Sequence, residues 1–487
     1  MSQTSDPQVL PSNPWPALWA MVIGFFMILV DSTIVSVATP VLRDDLAADY
    51  NAVIWVTSAY LLAYAVPLLI TGRLGDRLGP KRVYLVGLTL FTASSLWCGL
   101  TGSIEGLILA RVFQGFGASM MTPQTMSVIT RTFPADSRGR AMALWGATAG
   151  VATLVGPVLG GVLIDQAGWE WIFFINVPVG VVGFVLAWRL VPALETHTHS
   201  FDWVGVALSA VAMFLIVFGI QEGEAYDWGT ITGWISVPAL IGAGLLVLAA
   251  FVGWQARNRR EPLVPLFLFR DRNFSVSTVA ISTVSFSVTA MAFPFMLWAQ
   301  TVLGYDATEA GLLFVPMAVV TAVMAPIVGR LADRLPPRRL TSLGFAVSSI
   351  ALLLASQVIA PDTPLWQLLA LNALIGFGNA FLWSPLGSTA TRNLPMSAAG
   401  AGSGVYNATR QVGAVLGSAA IAAAITARLA VHVPGTGDAA AEGSTGRALP
   451  AELAGPFSDA MAEAIVVPAL AFAAGLVVVQ FFTRPGR

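Results

Sequence analysis

Two ionisable residues stand inside runs that are otherwise apolar and long enough to cross a bilayer. Asp31 lies in the run 17–39, about nine residues from its far end, and Arg111 lies about six residues into the run 105–130, counted from the same side. At a rise of about 1.5 Å per residue the two sit at similar depth. A carboxylate there costs on the order of 2.5 to 3.5 kcal/mol by insertion scales, so it needs a partner or a proton. One chemistry is a carboxylate that titrates, with Arg111 setting its proton affinity by charge proximity. The other is a static ion pair that holds two helices together.

Further polar and aromatic residues fall inside such runs. Gln114, Gln300, Asn379 and Gln411 carry amides that should face a bundle interior, and Trp55, Tyr60, Tyr64, Trp145, Phe293, Trp298 and Trp383 could line a cavity for flat, lipophilic, even cationic molecules. The ordinary alternative for each aromatic ring is packing or an interfacial belt. Arg410 is as well suited to structure as to transport, and Asn176 is expected to hold a helix turn. In 141–164, Gly146 and Gly150, then Gly156 and Gly160, recur at four-residue spacing with Pro157 and Gly161 beside them. That stripe permits close helix approach and a bend.

The elements that must position these residues are set by composition. Of 487 residues, 56% are hydrophobic and 10% charged, against about 25% charged in an ordinary soluble domain. Fourteen spans are expected, at 17–39, 53–71, 83–102, 105–130, 141–164, 171–191, 203–221, 232–254, 275–302, 309–331, 339–359, 365–390, 401–428 and 462–483. Arginine collects in alternate loops, which puts both termini in the cytoplasm by the positive-inside rule. Lys81 is the lone lysine, and no basic patch suits nucleic acid. Cys98 is the single cysteine and His197, His199 and His432 lie in linkers, so neither disulfide nor metal site is expected. No GxxxxGK[ST] loop suggests ATP.

The loop Gly72 to Arg82, GRLGDRLGPKR, recurs as GRLADRLPPRR from Gly329 to Arg339. Its second copy follows eight spans after the first, whereas two bare six-helix halves would separate them by six. Two helices are therefore inserted. The expected organisation is an N-terminal tail 1–16, a six-helix bundle 17–192, an insert 193–272, a second bundle 273–483 containing an outer loop 429–461, and a tail 484–487. The connector 255–272 should lie along the inner membrane surface with Leu263, Leu266, Phe267, Leu268 and Phe269 toward lipid. Asp76, with Arg77 and Arg82 near it, could pair with arginines or cap a neighbouring helix N-terminus and so latch one side shut. Asp333 and Arg334 repeat the pattern, with Pro336 in place of the turn glycine.

These features, together with LVDSTIVSVATP from Leu29, RVFQGFGASMMTP from Arg111, GVATLVGPVLGG from Gly150, WEWIFFINVPVG from Trp169 and GSGVYNATRQVGAVLG from Gly402, resemble the major facilitator superfamily. The fourteen-span count narrows the resemblance to its EmrB/QacA-type drug:proton antiporters. The resemblance implies an all-α polytopic fold of two pseudo-symmetric six-helix bundles, and an exporter of the bacterial inner membrane that moves small molecules by alternating access without cofactor or ATP. It also implies proton coupling at Arg111, a gate at Gly72, Asp76, Arg77, Arg82, Gly329, Asp333 and Arg334, and an inter-half contact along Gly146, Gly150, Gly156, Pro157, Gly160 and Gly161. An exporter dedicated to one metabolite, antibiotic or lipid shares the same pattern, as does a facilitator or symporter. An intramembrane enzyme or a sensor does not fit, for lack of a nucleophile-base pair or an output domain.

Overall fold

The computed structural model describes residues 13–48, 50–134, 137–196, 202–223, 226, 228–258, 261–433 and 450–483. The expectations for the tail 1–12, for His197 and His199, and for 434–449 and 484–487 fall outside them, as do residues 259 and 260 of the connector. The chain is almost wholly helical, as lipid requires, because a helix satisfies its backbone polar groups internally. In order the helices are α1 (Trp15–Asp45), α2 (Tyr50–Ala65), α3 (Leu68–Leu78), α4 (Pro80–Leu100), α5 (Ile104–Thr132), α6 (Arg138–Ala167), α7 (Trp171–Phe174), α8 (Asn176–Leu190), α9 (Trp203–Gln221), α10 (Val237–Arg257), α11 (Arg272–Thr301), α12 (Ala307–Leu312), α13 (Val315–Ala332), α14 (Pro337–Val358), α15 (Leu365–Thr391), α16 (Ala399–His432) and α17 (Ala451–Val479).

Among the described residues twelve stretches are long and apolar enough to span a bilayer. A thirteenth is the pair α2 and α3, bent by 46° at Pro67, which precedes α3 and lacks the N–H that would continue the helix. The remaining long helix, α5, has 29 residues but carries Glu105, Arg111, Gln114, Gln124 and Arg131, which lower its hydropathy. It is buried along one bundle, so fourteen spans are compatible with the fold. The expected span 232–254 is corrected at its start: a small hairpin, β1 (Thr230–Thr232) with β2 (Ile235–Ser236), turns at Gly233, and α10 begins only at Val237. Ser236 accepts from the Ala239 N–H there and fixes the start.

Helices α1 to α8 pack together, as do α11 to α17, and the hairpin α9–α10 lies between them in sequence. Helix α9 rests on the seam, sharing an apolar cluster of Leu62, Ala65, Met213, Ile216, Val217, Ile220 and Val415 with α2 and α16. Helix α10 packs on α9 and leaves Leu245 and Leu246 on the outside. The connector departs from expectation. Phe267 and Phe269 face outward, but Leu263 and Leu268 are buried in the protein, because the segment is drawn inward by hydrogen bonds to the insert.

That tie is made by Asp202, the N-cap of α9. Its carboxylate accepts from the Gly205 N–H at 2.9 Å, the Trp254 indole at 2.8 Å, the Gln255 amide at 2.8 Å and the Leu263 N–H at 3.3 Å. Partial burial alone would raise its proton affinity; the four donors outweigh burial and hold the carboxyl below its ordinary pKa. A depressed folded pKa contributes stability above the unfolded carboxylate value of about 4 and loses it as pH falls through the folded value. Asp202→Ala is therefore expected to lower thermal stability in detergent, by about 1 kcal/mol for the lost cap. The gap from wild type should be flat above about pH 5 and narrow in more acidic buffer; a gap that widens on acidification contradicts this account, and melting curves across pH measure it.

Candidate functional site

Asp31 and Arg111 meet. Both are fully buried, with Arg111 Nη1 2.5 Å from Asp31 Oδ2. Helix α5 places Gln114 three residues on, and so on the same face. Its Nε2 donates to Asp31 Oδ1 at 2.8 Å, while its Oε1 accepts from Arg111 at 2.7 Å. Arg111 Nε donates to the Val56 carbonyl at 3.1 Å, and its guanidinium lies 4.0 Å from the Tyr60 ring centroid. A third donor, Asn176, was expected only to hold a turn. It opens α8, where the break after α7 points its Nδ2 at both Asp31 Oδ1 and Ser95 Oγ, at 3.0 Å each. The carboxylate thus sits among three charged or amide donors from α5 and α8. Protonating it would break the ion pair and leave Arg111 without its counter-charge.

The duplicated loops form a pair of latches. Asp76 is fully buried at the end of α3 and accepts from the Gly400 and Ala401 N–H groups at 2.8 Å each, at the start of α16 in the other half. It also pairs closely with Arg131 of α5. Asp333 mirrors it, accepting from the Gly139 N–H at 2.7 Å at the start of α6, with Arg140 Nε at 3.7 Å. Each aspartate therefore meets the positive end of a helix across the seam. Close crossing makes this possible: a Cβ on Gly72 would lie 2.5 Å from the Gly400 carbonyl, and one on Gly329 would lie 2.8 Å from Ala143. Arg77, Arg82 and Arg334 are exposed. The cations at the latches are Arg131 and, more loosely at 4.0 Å from Asp76, Arg73, with Arg140 at the second. Arg138 adds a further link, donating to Thr391 O in the other half at 2.8 Å, and Ser384 donates to Gly139 O at 2.7 Å.

The glycine stripe of α6 divides between two neighbours. Gly146 meets Trp383 and Gly150 meets Thr321, both in the other half, and Gly161 faces Thr308. Gly156 and Gly160 instead abut Thr33 and Ile34 of α1, in their own half. Pro157 lies half-buried between them within the helix.

Of the residues expected at a cavity, Tyr60 and Gln114 belong to the Asp31 network. Trp145 is buried and stacks on Phe25, with centroids 4.8 Å apart, beside Arg410 at 5.9 Å. Trp383 and Asn379 occupy one face of α15, with Trp383 against α6, and Asn379 Nδ2 lies 4.0 Å from Met317 Sδ. Gln300 is half-buried and Gln411 buried. Three aromatics lie elsewhere. Trp55 packs on Phe218 of the inserted α9, Phe293 points outward at 56% exposure, and the Trp298 indole donates to Ser458 inside the second half at 2.9 Å. Sequence reasoning missed Ser95, Arg131 and Arg138 as site residues; the position of the two arginines at helix ends was the available signal for them.

Residues 21–418 match the model described as Major Facilitator Superfamily. The chain belongs to the major facilitator superfamily. An uncharacterized MFS-type transporter of Mycobacterium tuberculosis is 51% identical over 96% of this chain and 81% of its own. The multidrug export protein EmrB of Haemophilus influenzae is 30% identical over 85% of this chain and 81% of its own. These relatives place the chain in the EmrB-type branch of the superfamily. The human transporter MFSD10 superposes with a TM-score of 0.67, covering 98% of this chain and 100% of its own at 12% identity, which shows the same fold.

The latch geometry gives a direct test. Asp76→Asn strips Arg131 of its carboxylate, and breaking a buried pair costs about 3 to 5 kcal/mol. Spin labels at the exposed positions Leu78 and Leu335 should report a longer distance population in the variant than in wild type. An unchanged distance distribution would show that the latch does not hold this end closed.

Proposed function

We propose that this superfamily member is a proton-driven exporter of drug-like, amphipathic small molecules, working by alternating access between its two halves with no cofactor and no ATP. The observation that carries the reading is the carboxylate at membrane depth, held by three donors, whose protonation would dissolve an ion pair. An intramembrane ionisable residue so placed is a functional group by default. The names of its relatives, multidrug export proteins among them, support the direction and substrate class.

In this account the arginine-rich end, where both latches lie, faces the cytoplasm of a bacterial inner membrane with the termini on that side. The latched conformation excludes the cytoplasm. Protons entering from outside reach Asp31, the Asp31–Arg111 pair opens, and the halves rock so that the latches part; proton release to the cytoplasm restores the pair. Gly146 and Gly150 on α6 let Trp383 and Thr321 of the other half pack close against the helix, which limits leakage. Substrate would bind at the seam near Trp145, Trp383 and Asn379. The oligomeric state does not enter the mechanism.

The test is export of ethidium and a small dye panel from efflux-deficient cells. Wild type should export with sensitivity to an uncoupler, while Asp31→Asn should lose about tenfold or more of the rate at unchanged membrane expression. Full transport by Asp31→Asn under a proton gradient would remove Asp31 from the coupling route. If wild type moves no dye, a dedicated exporter of one metabolite, antibiotic or lipid becomes the reading.

A further inference from the structure

We infer that Arg410 is the binding residue for an acidic group on the exported molecule. The inference deepens the export reading and rests on it.

Arg410 lies 11 residues into α16 (Ala399–His432), about 17 Å from the helix start at 1.5 Å per residue. It is 9% exposed. The other buried arginines have counter-charges or carbonyls, although Arg111 Nη2 and Arg131 Nε also lack a partner. Arg111 has Asp31, Arg131 has Asp76, and Arg138 donates to three carbonyls, those of Phe133, Thr391 and Thr130. Arg410 has no carboxylate or carbonyl partner among the described residues. Its Nη2 donates to Tyr64 Oη at 3.1 Å, its guanidinium stands 5.9 Å from the Trp145 ring centroid, and its Nε has no partner.

A buried cation with only a hydroxyl and a ring face to compensate it is costly in a low-dielectric interior. Two neighbouring donors share the deficit. Trp145 Nε1 has no acceptor, and neither does the hydroxyl of Tyr406, one turn before Arg410 on α16. Buried polar groups in folded proteins are nearly always paired, so three unpaired donors around one cation mark a place for an acceptor from outside the chain. Its charge sign is set by the surroundings. The buried carboxylates Asp31 and Asp76 are engaged elsewhere, Asp31 by Arg111, Gln114 and Asn176 and Asp76 by Arg131, which leaves Arg410 as the uncompensated charge.

Trp145 stacks on Phe25 and Tyr64 on Tyr60, so aromatic rings stand beside the guanidinium, and a carboxylate, phenolate or enolate would take its planar fork. Water alone could satisfy the same donors, and the experiment separates that case.

Full-length protein in lipid nanodiscs is titrated with pyrenecarboxylate, pyrenemethanol and pyrenemethylammonium, which share one ring system and differ in charge. Wild type should bind the carboxylate about tenfold or more tighter than the ammonium. Arg410→Gln should erase that preference and Arg410→Lys should retain part of it, because a lysine keeps the charge without the planar fork. Trp145→Phe, which keeps the ring and removes the N–H, should weaken the carboxylate more than the alcohol; it serves if Arg410→Gln misfolds. Equal binding of acid and ammonium by wild type, or a preference that survives Arg410→Gln, overturns the inference, as does failure of all three probes to bind. If wild type exports dyes under a proton gradient yet ignores the pyrenes, the export reading stands and this inference fails. If it binds the acid through Arg410 yet exports nothing, the reverse holds.

Discussion

Two buried carboxylates, Asp31 and Asp76, depend on arginines of a single helix. Arg111 and Arg131 are 20 residues apart on α5, so about 30 Å separates them along its axis. One holds the carboxylate deep in the bilayer and the other holds the latch at the arginine-rich end. Removing either guanidinium would leave an uncompensated carboxylate in a low-dielectric interior, a loss of several kcal/mol. This requirement explains why α5 is the least apolar of the long helices while also being among the most buried. Its polarity is spent inside the bundle, and lipid contacts little of it.

The duplicated loops show how one local device serves two halves. In both, an aspartate near the helix end reaches the first N–H groups of a helix in the opposite half, and in both a glycine one turn earlier lets the backbones cross closely. The copies differ in burial. Asp76 is fully buried and accepts two backbone N–H groups in addition to Arg131, whereas the side chain of Asp333 is 9% exposed and its arginine, Arg140, is 48% exposed. Pro336 in place of Gly79 alters the turn that follows, since Gly79 adopts a φ of 90° that proline cannot reach.

The inserted hairpin is tied down at one end through Asp202 and rests on the seam through α9, where it contacts both halves. Its sequence, uniformly apolar, gives no hint that Met213, Ile216 and Ile220 face protein while Phe214 and Val211 face outward. The same ambiguity misplaced Trp55, which packs on the insert, and Phe293, which leaves the bundle. Lipid and protein interior are equally apolar, so hydropathy carries no signal for which face of such a helix is buried.

By itself the sequence determined the membrane class, the duplication, the similar depth of Asp31 and Arg111, and the superfamily, because these follow from local composition, repeat spacing and helical periodicity. Only the tertiary structure decided that Asn176 completes the Asp31 network, that Arg131 rather than Arg77 or Arg82 serves Asp76, that α6 splits its glycines between two partners, and that Arg410 lacks a counter-charge. Those outcomes depend on how helices distant in sequence are rotated against one another. Rotation is fixed by the fit of whole helix surfaces, and no short stretch of sequence encodes it.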